Sequence, residues 1–337
     1  MAASTAPNVL LQESLCYGCI PTGMQSEAAI HLLNEISELD LTPQQLIDAS
    51  RCYDCVPAGM QDEVQTMMLE SIVTGLQPPP LPECSTDALA FITAAGITDP
   101  AQRQAICDLV SDLKSNGSPS FWERDVLIYP FVGGTAASHA VNLRSPGTYD
   151  LTFTGAGLIH NASGLQGNNS AYADTGYSIP SANQDSIRGM VYVDGLPTAG
   201  SHKVFFGGVN VAGMSFFYLT FRNGEAICRY GVNGASGVAG PGLATLGANL
   251  IQRQNAAQIQ IANTSASWTT DASVSNGFLN RSVMLLGLND GVPPPTNPSD
   301  ARICGFSVGT PLTTDAELAS YKAIWDAFQT ALGRGHP

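Results

Sequence analysis

The spacing of apolar residues changes along the chain, from a helical period at the start to short strands later. Within residues 28–39, Ile30, Leu33 and Ile36 recur at three-residue steps, which predicts a helix with one buried face. After residue 124, short apolar runs alternate with clusters of Gly, Asn, Ser and Pro, and residues 258–261 show strict polar–apolar alternation. The pattern predicts a helical module followed by a β module.

Candidate strands fill the second module without a helix between them. They cover residues 126–132, 149–153, 189–193, 203–207, 215–222, 226–230, 258–261, 282–286 and 303–308. Short strands joined by short polar connections predict an antiparallel β-sandwich or jelly roll.

A last helix is expected near the C-terminus, where Thr314 and Glu317 form a capping-box pattern. Apolar residues then follow at three- and four-residue steps before Gly333: Leu318, Tyr321, Trp325, Phe328 and Leu332. This stripe predicts a helix packed on the sandwich, with its aromatic side chains in the core.

An internal repeat organises the first module. The twelve residues that begin at Cys16 recur at Cys52, with eight identical positions and the pattern Cys-x-x-Cys-x-Pro-x-Gly-Met-Gln. Each copy reads as a turn that leads into a helix. We therefore expect an all-α repeat module over residues 1–118, with units near 14–49, 50–80 and 84–114.

The paired cysteines of the repeat raise the question of a metal site. Four thiolates could hold a structural zinc ion, but the separation of the two pairs exceeds that of a compact zinc ribbon. Each pair also leads into a turn and a helix rather than a knuckle between strands. We expect buried thiols or disulfides, with zinc as the alternative, at Cys16, Cys19, Cys52 and Cys55. No cofactor is predicted.

Charge separates the two modules as well. The chain has 337 residues, of which 12% are charged, and its net charge is −14. Residues 1–118 hold fifteen acidic and three basic residues, a net charge of −12, whereas residues 119–337 hold thirteen and eleven, a net charge of −2. Residues 115–120 read as a linker. So few basic residues argue against a nucleic-acid binder.

Neither a membrane partner nor a secretory signal is expected, and export by a non-standard route stays open. The first residues lack the basic and apolar regions of a secretory signal. No stretch approaches the roughly 18 apolar residues of a membrane span.

The residues do not predict an enzyme. A retaining glycosidase needs two carboxylates about 5 Å apart. Glu123 and Asp125 precede the first strand, and Asp315 and Glu317 lie in the first turn of a helix, where side chains two apart do not face each other. The sequence lacks a nucleophile elbow and a phosphate-binding loop. Three histidines are scattered and expected in loops: His139, His160 and His202.

Several segments resemble a known family. Residues 306–313 (Phe-Ser-Val-Gly-Thr-Pro-Leu-Thr) and 327–334 (Ala-Phe-Gln-Thr-Ala-Leu-Gly-Arg) resemble the closing strand and helix of concanavalin A/laminin G-like jelly-roll domains in tailed-phage virion proteins. Residues 168–177 are similar to a segment that precedes the central strands of those domains. The cysteine repeat also resembles repeats of phage structural proteins. The resemblance implies a multidomain α+β protein: all-α helical repeats, then a concanavalin/laminin-G-like jelly roll over residues 119–337 with a C-terminal helix.

The family implies a component of a bacteriophage virion, with no catalytic residues. We expect a capsid-decoration, head-attached or tail-attached protein whose helical module docks on other virion proteins while the sandwich projects. Homo-oligomerisation is expected, because virions are built by repetition. The alternative is a tail-fibre or tail-tip protein that binds a host receptor or surface glycan. Its ligand or partner face would include Tyr172, Tyr177 and Phe217.

Overall fold

The computed structural model describes residues 84–335, except 184, 199–202, 210–215, 223–224, 231–237, 240–245, 264–266, 273–280 and 292–293. The chain divides into two units, Met1–Pro80 and Leu81–Pro337. The predicted repeats near 14–49 and 50–80, with Cys16, Cys19, Cys52 and Cys55, lie outside the described residues. The helical repeat therefore stays a prediction.

Most of the described chain is β-sheet, and helices lie at both ends of it. The helices are α1 (Thr86–Ala94), α2 (Pro100–Ser115), α3 (Phe121–Arg124), α4 (Ala136–Ala140) and α5 (Asp315–Ala331). The strands are β1 (Asp125–Tyr129), β2 (Thr152–Thr154), β3 (Ile159–Asn161), β4 (Gly164–Gln166), β5 (Tyr172–Ser178), β6 (Ile187–Gly195), β7 (Lys203–Val209), β8 (Phe216–Arg222), β9 (Glu225–Tyr230), β10 (Val238–Ala239), β11 (Gly247–Asn255), β12 (Gln258–Ala262), β13 (Thr269–Asp271), β14 (Ser282–Leu285) and β15 (Arg302–Gly309).

The strands form two antiparallel sheets. Sheet I has the order β13-β12-β11-β6-β15-β4-β3, and β1 pairs with β15 beside β4. Sheet II has the order β10-β9-β8-β7-β14-β5-β2. Apolar side chains of both sheets meet in one inner core that includes Leu127, Val191, Phe206, Leu219 and Phe306. The predicted β-sandwich with a closing helix is confirmed.

The central strands of sheet I are buried on both faces, which gives the sandwich a second core. In β6, Val191 and Val193 face sheet II, whereas Met190 and Tyr192 face the helices. The helices α1, α2 and α5 supply the other side of this second core with Phe91, Leu113, Trp325 and other apolar side chains. Because both faces are covered, the first seven residues of β6 are all buried.

The closing helix begins at the predicted cap, but the predicted capping box is only half formed, because the Glu317 carboxylate accepts from the amide of Thr313 rather than of Thr314. The Thr314 side chain accepts a hydrogen bond from the Glu317 amide, 3.1 Å away. Trp325 is fully buried against β15, where Gly305 makes room for it: a Cβ at Gly305 would lie 2.6 Å from the indole ring. The aromatic stripe of α5 is therefore core, as expected.

Helices α1 and α2 belong to the sandwich rather than to a separate module. The shift in composition predicts a boundary between residues 118 and 119, whereas the chain divides between Pro80 and Leu81. The physical reason is that α1 and α2 bury their apolar faces in the same core as α5. The expected linker is a tight turn in which the Phe121 amide donates to the Asn116 carbonyl, 2.8 Å away, and Phe121 is buried.

A disulfide joins Cys84, just before α1, to Cys107 in α2. The two Cα atoms are 5.1 Å apart, and 23 positions separate the residues in sequence. Such a cross-link stabilises the folded state mainly by restricting the unfolded chain.

We predict that the double variant Cys84→Ser/Cys107→Ser loses about 2–4 kcal/mol of unfolding free energy, because the unfolded chain regains the freedom of the closed loop. Urea denaturation followed by tryptophan fluorescence measures the loss. Reduced wild-type protein should match the variant. Equal stability of oxidised wild type and variant would contradict the prediction.

Candidate functional site

The free edges of the two sheets come together at one end of the sandwich. Strand β2 is the last strand of sheet II and β3 the last of sheet I. The ring of Phe153 in β2 contacts the ring of His160 in β3, with centroids 4.6 Å apart. We call the group of side chains at this end the edge site: His139, Tyr149, Phe153, His160 and Tyr177.

Tyr149 is the exposed aromatic ring of the edge site. Its side chain is 42% exposed, and its backbone has φ of 58°, a left-handed conformation that is rare for a bulky residue. Its ring meets the ring of Tyr177 edge to face, with centroids 5.2 Å apart. The buried Tyr129 hydroxyl donates a hydrogen bond to the Tyr149 carbonyl. These contacts keep the backbone of Tyr149 in a conformation that tyrosine would otherwise avoid, and so fix its exposed ring.

The loop before β2 is braced by a buried amide side chain. Asn142 Oδ1 accepts hydrogen bonds from the amides of Ile128 (3.0 Å) and Arg144 (3.2 Å). Its Nδ2 donates to the Thr148 carbonyl, 3.1 Å away. The Asp150 carboxylate closes the loop by accepting a hydrogen bond from the backbone amide of Asn142 at 3.0 Å. Tyr149 is therefore presented by a pre-organised loop.

A continuous row of rings connects the inner core to the edge. Phe131 stacks on Tyr129 with centroids 6.2 Å apart and meets His139 edge to face at 5.5 Å. His139 contacts His160, which in turn contacts Phe153. Phe131 also has a left-handed backbone, with φ of 45°.

The two histidines form a direct pair. The Nδ1 atoms of His139 and His160 lie 3.1 Å apart, so one imidazole donates and the other accepts, according to the tautomers present. Burial, above all, lowers the pKa of His139 to about 3, and His160 and Arg334 act in the same direction. Burial also lowers the pKa of His160. Both rings are therefore neutral at pH 7.

Arg334, just after α5, ties together the two segments that flank the histidine pair. Its buried guanidinium donates to the carbonyls of Phe131 at 2.9 Å, and of Ala162 and Pro130 at 3.3 Å each. Pro130 and Phe131 follow β1, whereas Ala162 lies in the turn between β3 and β4. Arg334 therefore fixes the distance between the segment after β1 and the β3–β4 turn, which flank the histidine pair.

The three residues of the predicted ligand face lie at different places in sheet II. Tyr177 belongs to the edge site, where it is buried against Tyr149. Tyr172 is buried farther along β5, beside Gly287. Phe217 lies in β8, three strands from β5 in sheet II, and its side chain is outside the described residues. Tyr177 is the member of that face that contacts the exposed ring.

The carboxylates considered for catalysis have structural contacts. Asp125 is buried, pairs with Arg188 and accepts a hydrogen bond from the Tyr321 hydroxyl at 2.9 Å. Glu123 closes the capping box of α3 by accepting from the Ser120 amide at 3.1 Å. Glu317 pairs with Arg124 at 2.6 Å. Buried Asp125 is inaccessible to a substrate, so Glu123 and Asp125 do not form an open catalytic pair.

Three further expectations concern a metal site, a membrane-spanning helix and His202. In the part that the structure describes, no three His, Cys, Asp or Glu side chains are grouped to hold a metal ion. Among the described helices, none is both long and apolar enough to cross a membrane. His202 lies outside the described residues.

Comparison with known proteins yields structural similarities alone. No family model and no curated protein sequence match the chain. Among solved structures, it is similar to the binding domain of botulinum neurotoxin serotype D, with a TM-score of 0.44 and 8% identity over 60% of this chain and 52% of that one. It is also similar to the CBM40 domain of a Ruminococcus gnavus IT-sialidase bound to α2,3-sialyllactose, with a TM-score of 0.35 and 14% identity over 47% and 96%. A Trypanosoma rangeli sialidase has a TM-score of 0.45 and 10% identity over 71% of this chain and 39% of that one.

The chain thus spans about half of the neurotoxin domain and about two-fifths of the trypanosomal sialidase. With TM-scores below 0.5, these similarities contribute nothing to the assignment of a function. The β-sandwich is established by the strand pairing itself.

The left-handed backbone of Tyr149 makes a prediction about stability. Tyr149→Ala and Tyr149→Gly both remove the ring, but glycine alone adopts positive φ without a steric cost. We expect the glycine variant to be about 1 kcal/mol more stable than the alanine variant in urea denaturation.

Leu196 provides a matched control, because it is equally exposed at 42% and lacks a positive φ. There the order should reverse, with Leu196→Ala at least as stable as Leu196→Gly. The same order at both positions would show that Tyr149 is not strained.

Proposed function

We propose that the sandwich is a carbohydrate-binding domain whose ligand stacks on Tyr149. The observation that supports this function is the exposed ring of Tyr149, held on a left-handed backbone by the Tyr129 hydroxyl and the Tyr177 ring. An exposed aromatic ring that is already fixed loses little entropy on binding. The C–H faces of sugars are apolar and suit such a ring, whereas their hydroxyls need hydrogen-bonding partners at the rim.

Polar groups for the sugar hydroxyls are present beside the ring. The Tyr149 hydroxyl donates and accepts, and a neutral histidine ring has one donor and one acceptor nitrogen. His160 is partly exposed, and its Nδ1 is engaged by His139, so its Nε2 is the nitrogen that can reach a ligand. The site therefore combines one apolar platform with a few polar atoms, as sugar sites require.

We predict that Tyr149→Ala lowers the affinity of the protein for its glycan by tenfold or more, because the stacking platform is lost. Tyr149→Phe keeps the ring and should lose less than about threefold. The ligand is first identified on an array of bacterial surface oligosaccharides, and affinities are then measured by calorimetry.

Leu196→Ala is the control for this experiment, because it removes an exposed apolar side chain outside the edge site. It should bind as wild type does. Equal affinities of wild type and Tyr149→Ala for every glycan that binds would contradict the assignment of the site.

We further propose that the binding domain belongs to a tailed-phage particle, as a receptor-binding component of a tail fibre or tip. The resemblance of residues 306–313 and 327–334 to concanavalin A/laminin G-like virion domains supports this location. The same resemblance favours a second candidate, a structural capsid-decoration, head-attached or tail-attached protein. In both cases the acidic N-terminal unit docks on other virion proteins, and the protein assembles as a homo-oligomer.

Deletion of residues 1–80 tests the docking role. Because the structure assigns α1 and α2 to the sandwich, the deletion ends at the unit boundary and leaves the folded unit Leu81–Pro337 whole. We expect the shortened protein to bind glycan normally but to be absent from purified particles, as measured by mass spectrometry. Incorporation at the wild-type level would contradict the docking role.

A further inference from the structure

The histidine pair of His139 and His160 connects two elements that are distant in sequence. His139 lies in α4 and His160 in β3, and their Nδ1 atoms meet at 3.1 Å. His139 is 1% exposed, and its Nε2 is buried without a hydrogen-bond partner. The hydrogen bond between the rings is therefore the polar contact that holds His139 in an otherwise apolar position.

Among the described residues, no carboxylate shifts the pKa of either histidine, and the charge of Asp174 in β5, like that of Asp150, acts on Tyr129. Phe131 and Phe153 contact the two rings from either side. The charged group that faces His139 is the Arg334 guanidinium, which is positive. Asp150, in the loop before β2, accepts hydrogen bonds from backbone amides. Its negative charge acts on the Tyr129 hydroxyl rather than on the histidines. A proton added to the pair thus enters a positive and apolar environment.

We propose that this histidine pair makes ligand binding at the edge site pH-dependent, with the site formed at neutral pH and lost in acid. With both rings neutral, one Nδ1–H donates to the Nδ1 lone pair of the other. The first added proton preserves a donor and an acceptor. The second places an N–H on both Nδ1 atoms, leaves no acceptor between them and brings two positive rings together beside Arg334. The pair must then separate.

If the two histidines separate, both ends of the loop that contains Tyr149 are displaced. The carbonyl of Ala140, the residue after His139, accepts a hydrogen bond from the Leu151 amide at 2.8 Å. On the other side, His160 contacts Phe153. Tyr149 lies between Ala140 and Phe153 in sequence, so movement of α4 away from β3 displaces the ends of its loop. This inference rests on the proposed glycan-binding function.

The sign and the pH range follow from linkage. The pKa of each ring in the folded protein lies below the ordinary histidine value of 6.5, and that of His139 is about 3. The neutral pair therefore contributes its full stability above about pH 6.5 and loses it as the pH falls towards 3. Binding should weaken over the same range, because the rings of a separated pair regain the ordinary pKa and take up protons that the paired rings exclude, so acid favours separation well above pH 3.

The experiment measures binding of the full chain to an array of bacterial surface oligosaccharides at pH 7 and pH 4, with circular dichroism to verify that the protein stays folded. We expect wild-type affinity to fall at least tenfold at pH 4. His160→Gln keeps an amide that can pair with His139 but does not titrate in this range. Whatever its affinity at pH 7, that affinity should change less than about threefold between pH 7 and pH 4. His202→Gln changes a histidine that is not a member of the pair and should retain the wild-type pH dependence.

Wild-type binding that is equal at both pH values, or a His160→Gln variant that weakens as wild type does, would overturn the inference. A second measurement separates this failure from failure of the proposed function. If no glycan binds at any pH, NMR titration of the histidine ring signals still tests the pair. The inference predicts coupled titration of two rings below pH 6 in wild type, together with shifts of Tyr149 and Phe153. Independent titration near pH 6.5 without those shifts would overturn it.

Discussion

A buried ion pair between Asp125 and Arg188 joins the helical layer of the molecule to sheet I. Asp125 begins β1, Arg188 lies in β6, and both side chains are inaccessible to solvent. Tyr321 of α5 donates its hydroxyl to Asp125 at 2.9 Å, and its ring lies 4.0 Å from the guanidinium carbon of Arg188. A buried pair is costly to desolvate, and removal of one partner would leave an uncompensated charge, at about 3–5 kcal/mol. Helix and sheet are therefore fixed in one relative position.

The edge site depends on this arrangement through β1. Asp125 fixes the start of β1, which pairs with β15 from Asp125↔Gly309 to Tyr129↔Phe306. That register places the Tyr129 hydroxyl where it can hold the Tyr149 carbonyl. At the other end, Arg334 follows the same helix that contains Tyr321 and binds the carbonyl of Phe131. A shift of α5 would therefore displace both ends of β1 and, with them, the contacts that hold the edge site.

Local signals in the sequence predicted α1, α2, α5 and most strands. They missed the short helices α3 and α4, the second of which lies between strands where no helix was expected, and they failed where burial or contact is set by distant residues. Thr314 and the stripe after it defined α5, whereas β11 was missed because Gln252 and Arg253 are buried in it and hide its apolar pattern. Tyr177 was a predicted ligand residue, but Tyr149 was assigned to a strand, because its left-handed backbone is imposed by contacts such as the one from Tyr129. The two paired histidines are 21 positions apart, and no local pattern brings their rings together.

The departures from local rules are concentrated in the edge site, and that concentration is itself an argument for function. Among the described residues, the bulky side chains on left-handed backbone are those of Phe131, Tyr149 and Leu286. Phe131 belongs to the row of rings that ends at the edge, and Tyr149 belongs to the edge site itself. The same row contains the buried, unpartnered Nε2 of His139. Leu286, in contrast, lies in the inner core, where it bonds to Phe205 and Ser299. Strain in a core is explained by packing. Strain beneath an exposed ring persists because the rest of the fold, from the Asp125–Arg188 pair to Arg334, holds that ring in place, and a fixed exposed ring is what the proposed ligand site requires.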